Sequence, residues 1–124
     1  MKNMQENYQK LEVWKKSMDL VEKVYQLVKK LPKEEMYALT NQIRRAATSI
    51  PLNIAEGYSK RESQAEFKRF LMMAMGSSDE VQVLLRFAKD LGYITEEEYT
   101  KGYATYKEIS KMLNGMLRAV KSEL

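Results

Sequence analysis

The sequence contains no cysteine and no histidine. These absences exclude a disulfide framework, thiolate or imidazole zinc sites, the Glu-x-x-His di-iron sites of helical bundles, cysteine nucleophiles and histidine general bases. Five glycines and two prolines in 124 residues are too little punctuation for a chain of short strands and tight turns. No Gly-x-x-x-x-Gly-Lys-Ser/Thr run is present to cradle phosphates. No apolar run approaches the roughly 20 residues needed to span a bilayer. The polar stretch Met1–Lys10 has no apolar signal core, so a soluble, cytoplasmic protein is expected. Carboxylates such as Glu56, Asp79 and Glu80 remain as hard-cation ligands, but carboxylates on helices are usually solvated or paired. No residue set demands an enzymatic reading. The expectation is a protein without catalytic residues, cofactor or metal site.

What is present is helical. Hydrophobic residues make up 44% and charged residues 31%, and helix formers dominate. Residues 1–10 read as a frayed leader, and 11–124 as one domain. Helix one spans about Leu11–Leu31. It carries two adjacent apolar stripes, Leu11/Trp14/Met18/Val21/Tyr25/Val28 and Val13/Leu20/Val24/Leu27/Leu31. That is a wider face than one partner helix requires, so it predicts two neighbours or a core plus a subunit contact. Pro32 ends it. Helix two spans about Lys33–Glu56 and Gly57 stops it. Leu39, Ile43, Ala46 or Ala47, Ile50 and Ile54 recur at helical spacing on both sides of Pro51. A helix bent at the proline is expected, with a break at Ile50 as the alternative.

Ser63-x-x-Glu66 and Thr95-x-x-Glu98 are capping boxes for helices three and four. Helix three runs to about Leu91, with Phe67, Phe70, Leu71, Ala74, Val81, Leu84, Leu85 and Ala88 inward. Its small residues Ala74, Gly76, Ser77 and Ser78 predict a close helix contact. Gly92 suits a left-handed helix stop. Helix four runs to about Lys121, with Tyr99, Tyr103 or Gly102, Tyr106, Ile109, Leu113, Met116, Leu117 and Val120 inward. Four helices with short links predict an all-α, antiparallel up-down-up-down four-helix bundle.

Several segments resemble one family. They are Ser49-Ile-Pro-Leu-Asn-Ile-Ala-Glu-Gly57, Glu66-Phe67-x-Arg69-Phe70-Leu71, Ala74-x-Gly76-Ser77-x-x-Glu80-Val81 and Leu91-Gly92-Tyr93-Ile94. This chain is similar to the four-helix-bundle proteins encoded in intervening sequences of bacterial 23S ribosomal RNA genes, labelled S23-type. The family is in turn similar to the accessory variability protein of diversity-generating retroelements. The resemblance covers about Leu11–Leu117. It implies a left-turning bundle assembled as a ring-like homopentamer. In the retroelement branch it implies a basic barrel that binds a reverse transcriptase and nucleic acid.

The net charge is +4, which favours nucleic acid or another anionic surface over an acidic partner. Arg44-Arg45, Lys60-Arg61 and Lys68-Arg69 fall within Asn41–Phe70, which holds six basic and three acidic residues. Arg86 shares the azimuth of Lys68, with Asp79 near the same line. These seven cations are the candidate nucleic-acid-binding residues for RNA or DNA; a solvated surface that only keeps the chain soluble is the competing reading. Most tyrosines and methionines fall at inward positions. Met72, Met73, Met75 and Phe87 broaden the outer face of helix three and are the candidate oligomer interface. Tyr8 and Tyr58 are expected to be the most exposed aromatics. Asn53, Glu56 and Glu80 are expected to be structural, satisfying backbone groups freed by Pro51 or pairing across the bundle. The leading reading is a nucleic-acid scaffold. The alternative is a protein-binding assembly module with no nucleic-acid role.

Overall fold

Helix ends in this chain are set by local chemistry. Ser63 Oγ accepts the Glu66 amide, and Thr95 and Glu98 exchange both bonds of a capping box, at 3.0 and 2.9 Å. After Asp90 the chain turns through Gly92 at φ 82°. The Tyr93 amide then reaches the Ala88 carbonyl and the Gly92 amide the Lys89 carbonyl, the paired bonds of a Schellman stop. The computed structural model describes the backbone of residues 4–122 and the side chains of residues 7–120. Over that span the helices are α1 (Glu12–Val28), α2 (Asn41–Ser59), α3 (Gln64–Asp90) and α4 (Glu96–Ser122), with no strand. Sequential neighbours pack together and α1 closes on α4, as in an antiparallel up-down-up-down bundle. No helix among the described residues is long and apolar enough to cross a membrane.

The two stripes of α1 divide the work. Val13, Leu20 and Val24 of one stripe, joined by Val28 of the other, are buried in the common core with Ile43, Ile50, Ile54, Leu71, Val81, Leu85, Ile109 and Leu113. Trp14, Met18 and Val21 instead meet Tyr8, Pro51 and Leu52 in an apolar groove toward α2. Tyr8 is half-buried and packs edge-on against Trp14, with centroids 5.0 Å apart. Met4–Lys10, expected as frayed chain, forms a 3-10 helix against α2. The first three residues of that leader lie outside the described residues.

Helix two differs from expectation at both ends. Lys33–Glu35 is a 3-10 turn and Met36–Thr40 a π turn, so the α-helix starts only at Asn41. It then runs unbroken through Ile50 and a buried Pro51. Gly57 does not stop it. That residue is buried inside the helix, and a Cβ there would lie 2.8 Å from Phe70 Cβ. Packing against α3, not a turn, explains the glycine. Along the same seam Ala46, Ala47, Ala74 and Ser78 are buried, and the Ser77 hydroxyl donates to Ser49 Oγ at 2.9 Å. On α4, Gly102 is the inward residue and Tyr103 is exposed, which settles that pair. The Tyr93 hydroxyl donates to Glu35 at 2.8 Å and ties the two links at that end of the bundle together; the carboxylate's hydrogen bond holds the phenol pKa above its usual value.

Candidate nucleic-acid interface

The seven nominated cations do not form one surface. Lys60 and Arg69 converge on opposite sides of the link between α2 and α3, each over the Phe70 ring at 4.9 and 4.4 Å. Both are countered locally. Lys60 lies 3.4 Å from Glu56. Arg69 grips Glu66 through two hydrogen bonds of 3.0 and 3.1 Å. That hydrogen-bonded pairing raises the guanidinium pKa and lowers the carboxyl pKa. Arg61 donates to the Tyr58 carbonyl at 2.7 Å and lies over the Tyr58 ring at 4.0 Å. Tyr58, expected to be exposed, is half-buried between Arg61 and Phe67.

The remaining four are dispersed. Arg86 is locked to both oxygens of Asp90 at 3.1 and 3.0 Å, and this hydrogen bonding raises its pKa. Eighteen residues separate it from Lys68, about 27 Å along α3, too far to grip one short phosphate run. Arg44 is half-buried and covers Tyr25 of α1 at 5.3 Å, with its Nε buried and unpaired. Arg45 and Lys68 have no carboxylate partner among the described residues. Arg45 lines a polar concavity of about 460 Å³ with Gln42, Ser49, Ser77 and Glu80. Asn53 donates to the Ser49 carbonyl and hydroxyl at 2.8 and 2.9 Å, in the turn that contains Pro51, while Glu56 pairs with Lys60.

A denser set of unpaired cations lies on α4, where sequence reasoning did not place it. Lys107, Lys111 and Arg118 are exposed and have no carboxylate within ion-pair distance among the described residues. With Tyr103, Tyr106, Ser110 and Asn114 they line a shallow groove of about 460 Å³. The one acid in that half of the helix, Glu108, points away to Lys16 of α1 at 2.8 Å. The signal in the sequence was the near absence of acids after Glu98; attention to doublets near loops passed over it. On α3, Met72, Met73 and Phe87 are exposed at 56%, 45% and 54%, and Val83 at 50% joins them. Met75 is half-buried and packs on the chain's own core.

Comparison with known proteins fits this architecture. The crystal structure of a protein of unknown function from the S23 ribosomal protein family of Bacteroides thetaiotaomicron VPI-5482 superposes with a TM-score of 0.77. It is 29% identical in sequence, over 85% of this chain and 97% of that one. No curated protein is significantly similar. The model of the 23S rRNA-intervening sequence protein family matches residues 9–115, which takes in all of α1, α2 and α3 and most of α4. The chain belongs to the 23S rRNA-intervening sequence protein family.

Proposed function

We propose that this protein is a non-enzymatic, homopentameric scaffold that binds RNA or DNA through phosphate contacts. The observation that carries the nucleic-acid reading is the row Lys107, Lys111 and Arg118, exposed and without carboxylate partners among the described residues. Such cations can exchange counterions for phosphates without first giving up an internal pair. Lys60, Arg69 and Arg86 would have to abandon Glu56, Glu66 and Asp90. Self-assembly is supported by the outer stripe of α3. Met73, Gly76, Glu80, Val83 and Phe87 alternate at spacings of three and four, the period of a helix–helix seam, and Met72 widens it. A ring would repeat each modest basic site around an axis, so that weak contacts add by avidity. The resemblance to the retroelement accessory protein supports a further role, docking a reverse transcriptase on the same ring.

The test is a salt titration of binding to a labelled structured RNA and to an unrelated duplex, using protein whose mass in solution has been determined by light scattering. Binding should fall steeply with salt. Replacing Lys107, Lys111 and Arg118 by alanine should weaken it more than replacing Lys60 and Arg61. A monomer at assay concentration would remove the pentamer. An assembled ring that binds neither nucleic acid at low salt would remove the nucleic-acid role and leave a protein-binding assembly module.

A further inference from the structure

The α4 groove has an aromatic element as well as a cationic one. Tyr99, Tyr103 and Tyr106 form a continuous row, with centroids 6.2 and 5.6 Å apart. Tyr99 and Tyr106 are anchored, since the Gln82 side-chain amide donates to the Tyr99 hydroxyl at 2.6 Å and the Tyr106 hydroxyl donates to Asp79 at 2.7 Å. Tyr103 has neither kind of tie. It is 39% exposed, its ring is braced by its two neighbours, and Lys107 Nζ stands 5.8 Å from its centroid. An exposed ring held at a fixed angle beside a row of unpaired cations is the arrangement that stacks a base while phosphates follow the cations. Lys107 and Lys111 are one turn apart, about 6 Å along the axis, and Arg118 is about 10 Å further on. A stretched single strand offers successive phosphates at a comparable repeat, whereas the bases of a duplex are stacked on one another and closed to Tyr103. Asn114, exposed in the groove between Lys111 and Arg118, supplies an amide that can meet any base edge.

We infer that the Tyr103–Arg118 face of α4 is a single-strand site, at which a base stacks on Tyr103 and the adjoining phosphates are held by Lys107, Lys111 and Arg118. This inference rests on the nucleic-acid reading above and narrows it to unpaired strands with little base specificity.

Fluorescence anisotropy of the full chain distinguishes the two levels. The probes are a labelled oligothymidine, a duplex of equal charge and polyglutamate, each titrated with salt. The expected result is tighter binding of the single strand than of either competitor. Tyr103→Leu should weaken the single strand about tenfold or more and leave the duplex unchanged, while Tyr103→Phe keeps wild-type affinity. Replacing Lys107, Lys111 and Arg118 together by alanine should reduce the log–log salt slope for the strand by about two. Lys107→Glu/Lys111→Glu, on exposed positions, should abolish strand binding and serves if Tyr103→Leu melts early. Equal binding of strand and duplex with a silent Tyr103→Leu overturns the stacking site and leaves the broader reading standing. Polyglutamate binding as tightly as the strand, or no binding of any probe at low salt, overturns both.

Discussion

Two seams of this bundle are built on opposite plans. Between α2 and α3 small residues line the seam, Ala46, Ala47 and Ser49 on α2 with Ala74, Ser77 and Ser78 on α3, and Gly57 lies directly under Phe70. The backbones approach until a hydroxyl pair spans the gap at 2.9 Å and no Cβ fits at position 57. Between α1 and α4 small residues face large ones. Leu20, Val24 and Leu27 look across at Gly102, Ala104 and Thr105 without interdigitating, and an apolar cleft of about 520 Å³ remains. Long polar side chains bridge the seam instead: Lys30 to Glu98 at 2.6 Å and Lys23 to Thr105 at 3.5 Å beside the cleft, and Lys16 to Glu108 at 2.8 Å beyond it. One seam is held by close packing, which is insensitive to salt and pH. The other depends partly on charge, which is sensitive to both.

The largest expected effect breaks the packed seam while sparing the open one. Gly57→Val should lose about 3 kcal/mol of stability, because the neighbouring atom is Phe70 Cβ and cannot swing away. Ala104→Leu, projecting into the cleft, should change stability by less than about 1 kcal/mol, since space is already there. Chemical denaturation of the two variants side by side checks this; similar losses at both sites would erase the distinction. Next in size is the hydroxyl pair. Ser49→Ala and Ser77→Ala should each cost about 1 kcal/mol, and the double variant should cost less than their sum, which a double-mutant cycle on melting data would show.

The smallest effect sharpens the charged side. Hydrogen bonds from Lys30 and Lys16 hold the Glu98 and Glu108 carboxyls below their ordinary value of 4.5. A carboxyl depressed in the folded state contributes stability above its unfolded pKa and loses it as pH falls through the folded one. Thermal stability should therefore decline below about pH 4.5. Glu98→Gln/Glu108→Gln should flatten that decline, leaving the part due to Glu66, whose pKa is lowered by its hydrogen bond to Arg69. Melting curves across the acid range measure it, and an unchanged acid slope would show that these bridges add nothing to the seam.

Much of this architecture was legible because local chemistry determined it. The caps at Ser63 and Thr95 and the stop at Gly92 are decided within five or six residues. The inward stripe of α3 follows from its spacing, and Phe67 alone of its members is only half-buried. Gly57 was misread because a glycine near a helix end signals a stop in one dimension; its reason is Phe70, thirteen residues away on another helix. The 3-10 and π turns of residues 33–40 are choices of hydrogen-bond register that side-chain periodicity does not record. Met72, Met73 and Met75 read alike in sequence, yet successive residues on a helix differ by about 100° in azimuth, and Met75 turns to the core. Whether a cation is available depends on which carboxylate lies beside it. A basic doublet or a shared azimuth does not record this: Arg69, within a doublet, and Arg86, outside one, are occupied by acids three and four positions away.

Helix α4 opens with Glu96, Glu97 and Glu98 and carries Lys107, Lys111 and Arg118 toward its other end. Glu96, Glu97 and Glu98 are each matched by a lysine, Lys89, Lys101 and Lys30. Over about 40 Å the helix therefore passes from a neutralised end to an unpaired cationic stretch, and its positive charge gives a moment by lying off-centre. Near a polyanion that moment acts as a torque, turning the cationic stretch toward the target before any side chain touches it. Orientation precedes contact, so a larger share of encounters is productive, over distances set by a screening length of about 8 Å at physiological salt. Subunits arranged parallel in a ring would add their moments along its axis and give one face that draws anions more strongly than the other. An antiparallel arrangement would cancel the moments, and the assembly would meet a polyanion with no preferred face.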